Sequence, residues 1–336
     1  MIVFEDLDAA RTARCMSGPE GQLRRPVTAI GFFDGLHLGH QRVLADLKAW
    51  ARQNGQSPAV VTFDRPPREV LSGFPVPTVS SLRHRLVLLA REGIETALVL
   101  AFDRDLAAWT PEVFIARVLK EALGTGDILL GFDSTFGRDR QGTYEFLKAR
   151  EAELGIRVRR AEACLIQGVR VSSTRARDAV AAGDLPALVT LLGRSYTLLG
   201  DVVPGDRRGR TLGFPTANLL APGQVILPDG VYFAHAALPE LPMRQAGAGA
   251  FRITGAIEGT WPAVVNIGRR PTFGKSGSRL IEVHLLGFSG DLYGRSIEVT
   301  FLCKHRDERP FAGPDALAQQ LKKDVNARRA FNVLPG

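Results

Sequence analysis

The sequence predicts an α/β domain followed by a smaller all-β domain. Three observations carry this. Strand and helix patterns alternate over the first half of the chain. Near residues 183–193 the grammar changes to short strands punctuated by Gly and Pro. A last helical stretch, "GPDALAQQLKKDVNARRAF" (313–331), closes the chain. Alternation of the first kind implies a parallel sheet covered on both faces, and closely spaced short strands imply a barrel or sandwich.

In order, "PVTAIGFF" (26–33) reads as a strand. "QRVLADLKAWARQNG" (41–55) reads as a helix with Val43, Leu44, Leu47 and Trp50 on one face and Gly55 as its stop. "SPAVVTFD" (57–64), "ETALVLAFD" (95–103) and "GDILLGFD" (126–133) are strands. Between them lie helices at 80–93, capped by Ser80 or Ser81, and at 110–124, opened by a Thr cap and Pro111. The stretch 173–193 reads as helical throughout. "SYTLLGDVV", "GVYFAHAAL", "TWPAVVNIG", "IEVHLLGF" and "SIEVTFLCK" read as the strands of the second half. Residues 239–259 read as an inserted loop. The expected domains are 1–187 and 188–336, a division that a chain of 336 residues accommodates.

No apolar run nears the roughly 18 residues of a spanning helix, and residues 1–15 do not resemble a signal peptide. Cys15, Cys164 and Cys303 are too far apart in sequence for a metal spacing or an even disulfide framework. The expectation is a cytoplasmic protein without a membrane partner. Net charge is +8, with the positive residues scattered rather than blocked. Arginine forks suit phosphate oxygens, so small phosphorylated ligands are expected rather than nucleic acid. The oligomeric state is not legible.

Four stretches carry chemistry. "GFFDGLHLGH" (31–40) lies between a strand and a helix, where open α/β sheets place ligands. Gly35 and Gly39 permit close approach of backbone to a phosphate. The helix start offers free N–H groups, and His37 and His40 are candidate donors to phosphate oxygens. The alternatives for the two histidines are structural roles, or a metal for which no third ligand is near. "VSSTRARDAV" (171–180) offers Ser172, Ser173 and Thr174 as caps with Arg175 and Arg177 in the first turn. It is a second phosphate clamp, or a plain cap with solvated arginines. "GDVVPGDRRGRTLGFPTANL" (200–219) combines a basic glycine loop, containing Arg207, Arg208 and Arg210, with the Thr216 and Asn218 oxygens that a hard cation accepts. In "IEVHLLGF" (281–288), Glu282 is a candidate base or an ordinary outward carboxylate.

"GxFDGxHxGH" followed by "SSTxxR", with "FGRDRQG" (136–142) between them, resembles the HxGH nucleotidyltransferases, specifically the FMN adenylyltransferase module of bacterial bifunctional riboflavin kinase/FAD synthetases. "GDxxGRxLGFPTAN", "LPDGVY", "NIGRRPTF", "EVHLLGFSGDLYG" and "FLCKHRDERPF", in order over 200–311, resemble the riboflavin kinase module. The resemblance implies a Rossmann-like N-terminal domain and a small Greek-key β-barrel with a terminal helix. It implies phosphorylation of riboflavin to FMN and adenylylation of FMN to FAD, with Mg²⁺ as cofactor and ATP as co-substrate. It places His37, His40 and Arg177 in transferase catalysis, with Gly31, Asp34, Gly39, Ser173 and Thr174 binding ATP and Asp133 near the flavin. In the kinase half, Glu282 is the base. Gly205, Gly213, Pro215, Thr216 and Asn218 bind ATP, Thr216 and Asn218 also hold the metal, and Arg306 and Arg270 close over flavin. Phe32, Pro66 and Ser134 depart from the usual Asn, His and aromatic of the transferase motifs. A second reading keeps the kinase and gives the N-terminal domain another substrate.

Overall fold

Apart from Asp127, which is paired with Arg157, every position of the central strands of the first half is apolar or small, and all are buried, as strands covered on both faces require. The sheet contains β1 (Ile2–Phe4), β2 (Pro26–Ile30), β3 (Ser57–Phe63), β4 (Thr96–Leu100), β5 (Asp127–Leu130) and β6 (Arg157–Arg160). These six run parallel in the order β1-β4-β3-β2-β5-β6. The computed structural model describes residues 1–16, 25–205, 209, 212–241, 249–269 and 279–331. They fall into two units. One comprises Met1–Thr78, Leu82–Ser173 and Leu241–Gly255; the other comprises Val79–Ser81, Thr174–Glu240 and Ala256–Gly336.

The helix Leu38–Gln53 buries Val43, Leu44, Leu47 and Trp50 against one sheet face, together with Leu86 and Leu89 of the helix Leu82–Arg91. Phe114, Ile115, Val118 and Leu119 cover the other face. Thr110 caps the latter helix through Val113 N–H, and Pro111 opens it, as expected. Strands β2 and β5 are neighbours, yet the chain leaves β2 toward β3 on one side and reaches β5 on the other. Their carboxyl ends therefore flank the switch point, where a crevice forms. Gly31–His40 follows β2 and Gly131–Asp133 follows β5.

After the short hairpin β7 (Leu165–Ile166) and β8 (Val169–Arg170), the second unit builds β9 (Thr197–Val203), β10 (Ala217–Leu220) and β11 (Gly230–Pro239). Next along the chain comes β12 (Ala250–Arg252), then β13 (Ile257–Arg269), β14 (Arg279–Leu285) and β15 (Ser296–Arg306). The ring β10-β14-β13-β11-β15-β9 closes on itself, antiparallel throughout. Closure removes the sheet edges. The order β15-β11-β13-β14 is a Greek key. The helix Pro314–Ala330 packs on β13.

Three expectations are corrected. The strand expected at 26–33, β2, ends at Ile30 and not at Phe33, because Phe33 (φ 54°) and Leu36 (φ 41°) take left-handed conformations that no strand holds. The stretch 173–193 is two helices, Ser173–Ala182 and Leu185–Leu192. Gly183 is left-handed (φ 74°) and Asp184 caps the second through Ala187 N–H. The inserted loop is not all loop. Ala250–Arg252 is β12, which pairs antiparallel with β1 at the edge of the first unit's sheet, and 257–259 already belong to β13.

Candidate active sites

The first site begins where β2 stops. Phe33, Gly35 and Leu36 all have positive φ, which folds Asp34–Leu36 into one tight turn and delivers His37 to the helix start. His37 is the N-cap. Its Nδ1 accepts from His40 N–H at 3.3 Å, which places its proton on Nε2. The His37 and His40 rings stack at 3.7 Å, and Phe33 meets His40 edge-on at 5.3 Å. A Cβ on Gly39 would lie 3.1 Å from the His37 ring, so the stack needs glycine there. His40 sits well below the ordinary imidazole range, first because its ring is desolvated and then because a charge on it would be repelled by a charge on His37 and by Arg85. Its Nδ1 is buried with no hydrogen-bond partner among the described residues.

Gly31, Asp34, His37, Gly39 and His40 are thus brought together by one turn, and Ser173 is tied to it by a hydroxyl bond to the Asp34 carbonyl at 3.3 Å. Thr174 and Arg177 follow in the same helix, with Arg177 donating to Thr174 Oγ1 at 3.1 Å. The boundary between the units falls between Ser173 and Thr174. Asp133, beyond β5, is ion-paired to Arg170 at 2.8 Å. Beside it lies an open recess of about 370 Å³, lined by Phe132, Tyr144 and Arg160, whose guanidinium rests 4.8 Å over Tyr144. Sequence reading missed this recess, and it missed Arg85.

The second site is a row of polar side chains across three strands. Asn218 on β10 is opposite Glu282 on β14, which is opposite Asn266 on β13. Ile281, Val283 and Leu285 alternate with them and are buried, so the period of two in β14 turns Glu282 and His284 to the opposite face. That face lines a cavity of about 330 Å³, roofed by Leu317, Leu321 and Val325 of the C-terminal helix. A second recess of about 550 Å³, with Val203, Leu285, Phe288 and Tyr293 in its walls, also borders on Thr216 and Asn218. Those two residues line both.

His284 Nδ1 is 2.7 Å from the Pro215 carbonyl and its ring meets Phe214 edge-on, which holds the "FPT" turn before β10. Gly213 is left-handed (φ 82°). A Cβ on Gly205 would collide with the Asn218 amide. Asn218 is 7% exposed and its Oδ1 has no hydrogen-bond partner among the described residues. A buried acceptor left open beside a threonine hydroxyl fits a hard cation that keeps its other contacts to water and phosphate. No group of three His, Cys, Asp or Glu side chains among the described residues forms a metal site.

Arg306 lines the first cavity but is committed elsewhere. Its Nε and Nη2 donate to the fully buried Asp324 at 2.7–3.2 Å, and Gln320 adds a bond of 2.7 Å. Burial pushes the Asp324 carboxyl up, but the hydrogen bonds from Arg306 and Gln320 outweigh it and hold the carboxyl below its ordinary range. Arg306, expected near the flavin, thus lines the cavity while its Nε and Nη2 are held by Asp324. Arg270, Arg207, Arg208 and Arg210 lie outside the described residues. Alternation along the strand already puts His284 on the face of Glu282, whereas Asn266 and Asp324 were not singled out from the sequence: Asn266 is placed by strand pairing and Asp324 by the docking of the C-terminal helix.

Comparison with known proteins agrees in both halves. The FAD synthetase family matches residues 20–175 and the riboflavin kinase family matches 192–332. A bifunctional riboflavin kinase/FMN adenylyltransferase of Pseudomonas fluorescens is 37% identical over 91% of this chain and 92% of its own. Proteins of the same name from Escherichia coli K12 and Bacillus subtilis 168 are 36% and 32% identical, over 91% and 92% of this chain and 92% and 94% of theirs. A Streptococcus pneumoniae structure described as a macrolide-efflux protein superposes with a TM-score of 0.71 at 30% identity, covering 91% of this chain and 95% of that one. Among the described residues no helix is long and apolar enough to cross a membrane.

Proposed function

The chain belongs to the bifunctional riboflavin kinase/FMN adenylyltransferase family, and from that premise we propose how its residues divide the two reactions. Riboflavin and ATP give FMN and ADP in the barrel. FMN and a second ATP give FAD and pyrophosphate in the parallel-sheet domain. The observation that carries the kinase half is the pair of recesses sharing Thr216 and Asn218. Flavin in one and nucleotide in the other would meet at that wall, beside Glu282.

Glu282 takes the proton of the ribityl hydroxyl as its oxygen attacks the γ-phosphorus, and ADP leaves with the bond electrons. Thr216 and Asn218 would hold Mg²⁺, which when bound neutralises charge on the phosphate oxygens. Gly205, Gly213 and Pro215 shape the nucleotide loop, and His284 keeps Pro215 in place. Arg306 with Asp324 forms one wall of the flavin cavity. Arg270 is assigned to flavin closure on the resemblance alone.

In the transferase, an FMN phosphate oxygen attacks the α-phosphorus and pyrophosphate departs. His37 and His40 donate to the triphosphate while Gly31, Asp34 and Gly39 shape its cradle. Ser173, Thr174 and Arg177 carry the departing phosphates, where fixed donors lower the barrier. Asp133 faces the flavin side. The enzyme is taken as cytoplasmic, acting on small molecules and not on nucleic acid.

Product chromatography tests the division. Purified protein with riboflavin, ATP and Mg²⁺ should yield FMN and FAD, and protein given FMN should yield FAD. Glu282→Gln should abolish the first conversion and spare the second; His37→Ala should do the reverse. Loss of both conversions in a folded single variant would sink the two-site assignment.

A further inference from the structure

Beneath the HxGH turn lies a cation that no part of the proposed chemistry uses. Arg85, on the helix Leu82–Arg91, is 1% exposed. Its Nη2 donates to the Phe63 carbonyl at the end of β3, and its guanidinium lies 4.1 Å from the centroid of the Phe32 ring. Its Nε has no hydrogen-bond partner among the described residues. The helix that carries it packs against the Asp34–Leu36 turn. A charge buried this deeply normally has a bidentate carboxylate partner. Here the nearest carboxylates, Asp34 and Asp64, only moderate it, and desolvation brings the guanidinium down to about 10. It stays charged at neutral pH.

Resting on the transferase reading above, we propose that Arg85 is a positioning residue for adenylyl transfer: a fixed, buried cation that holds the Phe32–Asp34 turn from below and keeps the His40 imidazole in its hydrogen-bonding place against His37. The geometry makes this specific. Phe32 carries Arg85 on its ring face and packs against the core that holds Phe114, Phe33 abuts His40, and His40 stacks on His37. The titratable groups that act on the His40 ring are His37 on the same turn and Arg85 from the helix below, with Asp34 and Asp64 acting on Arg85. Of these, Arg85 is the one permanent positive charge. Protonating His40 would bring a second cation against the first in a desolvated space. With His40 uncharged the two rings stay stacked, the His37 Nδ1 stays on the His40 N–H, and the His37 Nε2 stays available for phosphate. Arg85 itself is too buried to touch substrate.

The test uses the full-length enzyme with Arg85→Met and Arg85→Lys. Histidine Cε1–H resonances are titrated without ligand, with His40→Gln as the assignment control. FMN adenylylation is measured from pH 5.5 to 9. Arg85→Met should raise the His40 midpoint and carry the acid limb of the rate upward with it, a loss that is greatest at pH 5.5 and disappears as pH rises. Arg85→Lys, which keeps the charge, should restore the wild-type limb. An unmoved His40 midpoint in Arg85→Met, or a loss equal at every pH and not rescued by lysine, overturns the proposal. If wild-type protein makes no FAD at all, the transferase reading fails instead, and the titration still decides whether Arg85 governs His40.

Discussion

Asp324→Ala is the substitution whose cost is most directly worked from the barrel. The carboxylate is fully buried and receives Arg306 through Nε and Nη2 and Gln320 through Nε2, with His305 Nε2 at 3.4 Å. Alanine removes every acceptor and leaves the Arg306 guanidinium, 19% exposed, without its counter-charge. Breaking a buried pair in this way costs about 3–5 kcal/mol. For a domain of this size that is a fall of roughly 10 °C in Tm, at about 2–4 °C per kcal/mol. Asp324→Asn keeps the shape and loses only the charge, and should cost about 2 kcal/mol. The assay is residual riboflavin phosphorylation after a heat step, alongside calorimetry. The pH dependence has a definite sign. The folded carboxyl titrates below its unfolded value, so its contribution is complete above the unfolded value of about 4 and disappears as pH falls through the folded one. The gap between wild type and Asp324→Asn should therefore be open at pH 7 and close as the solution is acidified below about pH 4. An Asp324→Ala protein within about 0.5 kcal/mol of wild type at pH 7 would refute the reasoning, since only surface changes are that mild.

Ile253, beside β12, is 3% exposed in the core of the parallel-sheet unit although it follows the barrel strand β11 in sequence. Ile253→Ala should cost about 2–5 kcal/mol and weaken FAD formation before FMN formation, as separate activity-loss temperatures would show. His40 stays neutral when folded, so acidification below about 6.5 favours the unfolded state, which takes up the proton first. Stability of the first unit should fall from pH 6.5 downward, and His40→Gln should flatten that slope in denaturant titrations. Gly39→Ala should disturb the histidine stack and cut FMN adenylylation while leaving riboflavin phosphorylation intact. Asn218→Ala should abolish FMN formation at every Mg²⁺ concentration, measured as initial rate, while FMN-to-FAD conversion persists.

Much of this protein is legible along the chain because the determinants are local. The helix Leu38–Gln53 follows from apolar spacing and the helix from Pro111 from a Thr-Pro start. The "GFFDGLHLGH" and "GFPTAN" stretches keep their chemistry within a dozen residues, so both activities can be read from contiguous letters. What failed was of two kinds. Local conformation ended elements early where φ turned positive, at Phe33 and at Gly183. The larger failures were non-local. Nothing in the sequence places Asn266 opposite Glu282, since strand register is settled by pairing across the sheet and by which face finds a core. Nor does it show that Arg306 is spent on Asp324, that Arg85 lies under Phe32, or that Thr216 and Asn218 border two recesses at once. The fate of 250–252 is the plainest case: three unremarkable residues became a strand because β1 offered an unpaired edge, and an open edge satisfies its N–H and C=O groups with whatever extended chain the tertiary structure brings to it.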